Sequence, residues 1–468
     1  MATTLAQSPA ELKALLRHLD KALLEKALEV ARQCYKTVLE AFDDALAERR
    51  SHGLRIEHRR EVWHQTLVGP VAVSRRVYRD AKGRRRYLLE EFLGMSKRDH
   101  ITPGVRDLVL ELPTGMTYRR AAELLRKITA IELTHQTIHR LVQKTAAPYL
   151  EKETHQRQWF VETGELPDGE GRKVGRLMVE ADGVMVSLQR QKARKVEVKL
   201  GIAYEGWEKV GRDRYRTVNK TIYADVSSGD DFWAGMTLRL WKKYDLASVK
   251  GPIVGGDGAG WVKEGACYLN GHFQLDGYHL HRELITSLGK DNETRSKVWR
   301  AIRSGQVEAG LEALAEAMKQ ARGEKAEKLR HIYAYLQTNR PGLVDYRLGL
   351  GEEAVTLRRT GAIEGNVHKL IAQRMKNQGM SWSIKGIRSL LCIRFLALEG
   401  KLAGWLDGRT PSGPDIRLPK KAVRRIVSHL SVQGPDDWLQ AGLPALRGPH
   451  ASRPWVKVLR FLAEVQPL

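Results

Sequence analysis

Cysteine is scarce in this chain: Cys34, Cys267 and Cys392 are the only three among 468 residues. They are too few and too scattered for a disulfide framework. Neither a CxxC pair nor Cys/His ligand spacing occurs, which argues against a structural zinc site. Such usage suits a reducing, intracellular compartment. Apolar runs are also short: nowhere do 18 apolar residues follow one another, so no membrane span is expected. The segment Met1 to Leu12 has no basic stretch followed by an apolar one, so no secretory signal is expected there. Acidic residues are the third shortage. Against 55 Asp and Glu stand 79 Lys and Arg, a net charge of +24. That excess opposes self-association and favours polyanions, because each phosphate neutralised releases condensed counterions. Ribosomal, membrane-surface and nucleic-acid proteins share this property, so charge narrows the partner without naming the chemistry. The expectation is a cytoplasmic, nucleoid-associated protein with no membrane partner.

What is present is globular: 42% of residues are hydrophobic, and the length suits two to four domains with buried cores. In residues 1–55, Leu12, Leu15, Leu16, Leu19, Leu23, Leu24 and Ala27 recur at three- and four-residue steps, which predicts a helix from Pro9 to Arg50 serving a bundle or an oligomer. In residues 56–100 the period changes to two. Trp63, Gln65 and Leu67, then Gly69-Pro70, then Val71, Val73 and Arg75 read as a hairpin. Arg75, Arg76, Arg79, Lys82 and Arg84 to Arg86 make it basic, either as a solvated face or as a phosphate-contacting ribbon. Residues 101–155 read as helices. Tyr118 to Arg126 and Thr134 to Val142, the latter with Thr134 as N-cap, look like a helix-turn-helix. Its second helix would present Gln136, Thr137, His139 and Arg140 to a major groove, with Arg119 and Arg120 on the first. Helical hairpins of this size also occur in proteins that never touch DNA.

Residues 170–284 turn α/β. Strands are expected at Leu177–Leu188, Arg194–Glu205 and Tyr215–Asp225, then a helix at Asp231–Lys243. Short apolar strands ending in acids follow at Pro252–Asp257 and His272–Asp276. A three-strand meander continuing into a parallel βαβ portion matches an RNase H-like α/β fold. Residues 285–355 read as an all-helical insertion, with helices at Thr294–Arg303, Val307–Ala321 and Glu324–Leu336. Residues 356–403 read as the final core helices, and 404–468 as a basic C-terminal region of unassigned role.

Two-metal phosphodiester chemistry needs carboxylates that hold two ions a few ångströms apart, one activating the attacking oxygen and one the leaving oxygen. Hard ions such as Mg²⁺ take oxygen ligands and keep several waters, so few protein carboxylates suffice. Asp182 lies inside the apolar strand Val179 to Val186, where an unpaired carboxylate is costly and asks for a cation or a salt bridge. Asp257 ends the strand Ile253 to Gly256, a common ligand position in α/β sheets. Glu364 heads the segment Gly361 to Ile371, with His368 four residues on and Arg374 beyond. Glu180 competes with Asp182: alternation puts both on one face, so geometry does not force the choice, and Asp182 is favoured.

The segments Glu180-Ala181-Asp182-Gly183, Gly256-Asp257-Gly258-Ala259-Gly260-Trp261-Val262, Leu275-Asp276-Gly277-Tyr278-His279 and Glu364-Gly365-Asn366-Val367-His368 together resemble the ISLre-type insertion-sequence transposases, relatives of the mutator-like DDE group. The resemblance covers most of the chain. It implies an RNase H-like catalytic core with an all-α insertion before the final Glu, and metal-dependent DNA strand transfer. Asp182, Asp257 and Glu364 would be the catalytic and metal-binding triad for two Mg²⁺ ions, with Mn²⁺ as a substitute. Asp276 and His279 match the accessory Asp-x-x-His pattern, the alternative for His279 being a helix-start residue packed on the core; His368, four residues after Glu364 on the same helix face, either positions that carboxylate or caps a polar surface. The family pattern often has an acid after the first Asp, where this chain has Gly183. The implied partners are double-stranded DNA, both transposon ends and target, and further copies of the chain, since two ends must be handled together. A DNA-binding regulator without activity and a nuclease that cuts without joining are the rival readings.

Overall fold

The computed structural model describes residues 9–95, 100–290, 293–350, 357–376 and 379–408. Of the expected basic region 404–468, all beyond 408 lies outside the described residues. The chain divides into two compact units, one from residues 1–112, 118–138 and 401–468, the other from 113–117 and 139–400.

The first unit opens with helix α1 (Pro9–Glu48), followed by strands β1 (Arg55–Thr66) and β2 (Gly69–Arg79), with β3 (Arg85–Arg86) completing the sheet and α2 (Leu88–Phe92) next in the chain. The hairpin turns at Leu67-Val68, with Thr66 paired to Gly69. Gly69 has φ +107, a conformation that glycine adopts without strain. Along β2 the buried positions alternate, and Val71 and Val73 join Leu39, Leu46 and Leu89 in one core. In the outer half of α1, Leu16, Leu19, Leu23 and Leu24 are all exposed. Helices α3 (Pro103–Gly115), α4 (Tyr118–Ile128) and α5 (His135–Thr163) follow, with α5 from His139 onward counted in the second unit. The Thr134 hydroxyl accepts from the Thr137 N–H at 3.2 Å, the N-cap expected there. The second helix is not short, however: α5 runs 29 residues and contains Pro148.

The second unit is built on a mixed five-stranded sheet. Strands β4 (Met178–Ser187), β5 (Lys195–Tyr204) and β8 (Thr221–Asp225) form an antiparallel meander, and β9 (Ile253–Gly256) and β10 (His272–Leu275) add in parallel on the other side of β4. The order is β10-β9-β4-β5-β8. The expected third strand Tyr215–Asp225 is broken. Its first residues pair as β7 (Tyr215–Thr217) with β6 (Trp207–Lys209) in a separate ribbon, and Asn219, at φ +51, turns the chain into β8. Helices α6 (Gly229–Trp241) and α7 (Gly260–Tyr268) contribute Phe232, Trp233, Met236 and Val262 to a core with Val179, Ala181, Ala203 and Val254 of the sheet.

After β10 come α8 (Gly277–Leu288), α9 (Glu293–Arg303), α10 (Val307–Gln320) and α11 (Gly323–Thr338), which pack on one another through Leu284, Val298, Leu311, Leu314 and Leu329. The chain then re-enters the sheet region as α12 (Ala362–Val367), a π-helical turn (His368–Ala372) and α13 (Gln373–Met375), followed by α14 (Ile384–Leu398). Helix α15 (Leu402–Asp407) belongs to the first unit.

Candidate active site

Asp182 stands at the middle of β4, and the parallel register with β9 brings Asp257 beside it. The last paired residues are Ala181 and Gly256, and each acid is one residue further. Asp182 keeps 8% of its surface. Burial lifts its carboxyl from the ordinary 3.8 to about 6; a hydrogen bond from the Gly183 N–H and the His279 charge pull it down, and the nearby Asp257 and Glu364 carboxylates push it up. Glu364 is exposed on α12, yet ligand atoms of Asp182, His279 and Glu364 all lie within 4.8 Å of one another. Three segments distant in sequence therefore converge on one point. Asp257 is outside that group of three: its Oδ1 accepts from the Ala259 N–H at 2.9 Å, while its backbone carbonyl accepts from the Tyr335 hydroxyl at 3.1 Å.

His279 comes from the first turn of α8. Asp276 caps that helix, accepting from the Tyr278 N–H at 3.3 Å through Oδ1 and meeting His279 Nδ1 at 3.0 Å through Oδ2. That hydrogen bond holds the imidazole above its ordinary pKa against the opposing effect of burial. The Asp276 N–H in turn donates to the Gly256 carbonyl at 2.8 Å, which ties β10 to the strand carrying Asp257.

Glu180, the acid that competes with Asp182 on β4, has both carboxylate oxygens engaged. Glu180 is fully buried, with Oε1 accepting from the Tyr204 hydroxyl. Its Oε2 accepts from the N–H groups of Gly361 and Ile363 at 2.9 and 3.0 Å. It is a latch between β4 and the start of α12, which sets where Glu364 stands relative to Asp182. Burial nonetheless raises its pKa. At Gly183 a Cβ would meet the Glu197 side chain of β5 where it now lies, so a larger residue there would require Glu197 to move. Two residues of the helical insertion also support the site without having been foreseen. Tyr335 holds the Asp257 carbonyl, and buried Asn339 sits so close to Gly258 that a side chain there would strike its Oδ1. No motif marks either one; only the folded packing of α11 against the loop after β9 reveals them.

His368 is exposed and opens the π-helical turn one helical turn past Glu364. Such turns recur at functional sites. Asn366 accepts from Lys220 Nζ at 2.8 Å and donates to the Ala362 carbonyl at 2.7 Å.

The basic residues expected to meet DNA divide sharply. Arg75 is 4% exposed and its Nε meets the buried Glu90 carboxylate at 2.5 Å, so it braces the core and presents no charge to a phosphate. Arg374 is equally buried, donating to the Pro113 carbonyl at 2.7 Å and lying over the Trp382 ring. Both are corrections to the expectation: each sits on the inward face of its element, where a guanidinium must find internal partners. Arg76 is mostly covered and paired with Asp43 and Asp44. Arg79 and Arg85 share Glu57, Arg84 pairs with Asp80, and Arg86 with Glu91. Arg119, Arg120, Gln136 and Arg140 are exposed, and Thr137 and His139 half-buried. Arg120 reaches Glu123 at 3.3 Å, and His139 Nε2 lies 3.1 Å from Gln143 Nε2.

The family described as "Uncharacterised protein family (UPF0236)" matches residues 11–409. The chain belongs to UPF0236. The matched span encloses every candidate site residue from Arg75 to Arg374. Among UPF0236 relatives, protein TTE2489 of Caldanaerobacter subterraneus subsp. tengcongensis is 24% identical over 85% of this chain and 83% of its own length. The UPF0236 protein in the vanSb 3' region of Streptococcus gallolyticus is 25% identical over 72% of each chain. Another UPF0236 relative from C. subterraneus subsp. tengcongensis, 23% identical over 85% of this chain and 82% of its own length, bears a name that joins eleven loci, from TTE0033 to TTE2212. Among the described residues, no helix is long and apolar enough to cross a membrane.

Proposed function

We propose that this chain is a DNA transposase with an RNase H-like core, which cuts at the ends of its own mobile element and joins them to target DNA. The observation that carries the reading is the convergence of Asp182 and Glu364, from β4 and α12, with Asp257 beside Asp182. Carboxylates gathered this closely, one of them lifted to about 6 largely by burial, form a site whose repulsion a divalent cation relieves. The donor set therefore fits the metal that this chemistry requires. Asp182, Asp257 and Glu364 would hold Mg²⁺, or Mn²⁺ in its place. Bound there, the ions would activate the attacking oxygen and stabilise the leaving one.

The chain's own residues do the rest. Glu180 fixes the entry of α12, Asp276 orients His279, and Tyr335 steadies the loop that carries Asp257. A meander followed by two parallel strands, with a helical insertion before the last acid, is the element order of such a core. A relative's name that spans eleven loci of one genome suits a gene that copies itself. The net charge of +24 suits a DNA partner, and in the first unit Arg119, Arg120 and Gln136 are exposed to meet it. Handling two DNA ends calls for a homo-oligomer.

The test is a product assay on labelled DNA carrying the flanking ends of the gene's own element, with Mg²⁺ and a plasmid target. Joined products support the proposal. Cleaved ends that never join favour a nuclease, and binding without cleavage in either Mg²⁺ or Mn²⁺ favours a regulator.

A further inference from the structure

We propose that His279 is itself a metal ligand, so that the ion between β4 and α12 is held by two carboxylates and an imidazole. The inference rests on the metal-dependent reading of the site and adds a donor to it. The geometry points to it in two independent ways. The group able to share one ion among the described residues is Asp182, His279 and Glu364, whose donor atoms lie within 4.8 Å of one another, and Asp257 is not in it. Separately, Asp276 engages His279 Nδ1 at 3.0 Å, which leaves Nε2 as the nitrogen available to an ion. A carboxylate behind an imidazole is the usual way to fix the tautomer and aim the ring of a metal-bound histidine. Asp276 is itself fixed twice over, by the Tyr278 N–H that it caps and by its own N–H on the Gly256 carbonyl. His279 retains only 5% of its surface, and the aligned carboxylate behind it gives the ring a preset direction.

The consequence is a choice of metal. A mixed oxygen and nitrogen donor set suits Mn²⁺ and later divalent ions better than Mg²⁺, which prefers oxygen alone. Mn²⁺ should then occupy this position in preference to Mg²⁺, while Asp257 serves a second, more hydrated position.

Pulsed electron paramagnetic resonance of the full chain loaded with one equivalent of Mn²⁺ reads the ligand directly, without DNA or turnover. The expected result is nitrogen modulation from a bound imidazole in the wild type, absent in both His279→Gln and His279→Ala. Titration should show Mn²⁺ binding weakened at least about tenfold in those variants. A wild-type Mn²⁺ signal with no nitrogen coupling, abolished by Asp182→Asn, would overturn the inference and leave the carboxylate reading of the site intact. Coupling that persists in His279→Gln would overturn it as well, assigning the nitrogen to another side chain. If the wild type bound no Mn²⁺ at millimolar concentration, the metal-dependent reading would fall, and this inference with it.

Discussion

Burial and the two neighbouring carboxylates leave Asp182 with a carboxyl near 6, against 3.8 in an unfolded chain. In the metal-free protein the folded state therefore binds more protons between about pH 4 and pH 6. Stability falls as pH rises through that window, by about 3 kcal/mol for a shift of this size. Asp182→Asn carries no charge to bury, so it should flatten that part of the profile and be the more stable protein at pH 7. Denaturant melts in chelator at pH 4.5 and pH 7 measure both; equal slopes for wild type and variant would remove Asp182 as the source. Glu180 makes the opposite kind of contribution. Glu180→Ala strands the Gly361 and Ile363 N–H groups and the Tyr204 hydroxyl, which should cost about 3 kcal/mol. Glu180→Gln keeps one acceptor oxygen and should lose less. An alanine variant within about 0.5 kcal/mol of wild type would mean that the latch does not hold α12.

Single elements explain why some of the chain could be read in advance and some could not. Alternation along β2 already places Val71, Val73, Arg75 and Val77 on one face, so the inward position of Arg75 was present in the sequence but masked by its charge. The helical period does the same for Arg374, four residues after buried Leu370. Arg75→Ala should therefore destabilise the first unit by about 3–5 kcal/mol, because Glu90 is left charged and unpaired in the core. Arg119→Ala should leave the melting temperature unchanged. If α4 meets DNA, it should also weaken binding and lower the salt slope by about 1. Thermal melts and fluorescence anisotropy at several salt concentrations separate the two; a stable Arg75→Ala protein with weakened DNA binding would reverse the assignment. The hairpin and the insertion helices were legible because each has a clear period, and the short strands β9 and β10 because each is an apolar run ending in an acid. The break of the third strand at Asn219 was not, since the polar residues before it carry no period. Nor were Tyr335 and Asn339, whose roles exist only where α11 meets the loop after β9. At the candidate site, Asp182 was legible as a charge inside an apolar strand and Asp257 as the acid that ends one. That the Glu180 carboxylate is taken up by the backbone at the start of α12 could not be read from any spacing within β4.

At the scale of the whole molecule, a net charge of +24 opposes assembly, whereas the proposed reaction calls for at least two copies. The exposed row Leu16, Leu19, Leu23 and Leu24 on α1 offers a second copy an apolar seam at helical spacing. Sedimentation at moderate salt should show a multimer for the wild type and a lower mass for a Leu19→Glu, Leu23→Glu double variant. An unchanged mass would assign assembly to another surface. The central claim, that acids from separate segments form one metal-dependent catalytic site for DNA, is tested most directly by Mg²⁺-dependent cleavage of end-bearing DNA by wild type and Glu364→Gln. The account predicts cleavage by the wild type and a loss of about 1,000-fold or more in the variant, the scale of several kcal/mol of transition-state stabilisation, with DNA affinity and melting temperature unchanged. A Glu364→Gln protein that cuts at the wild-type rate would contradict it.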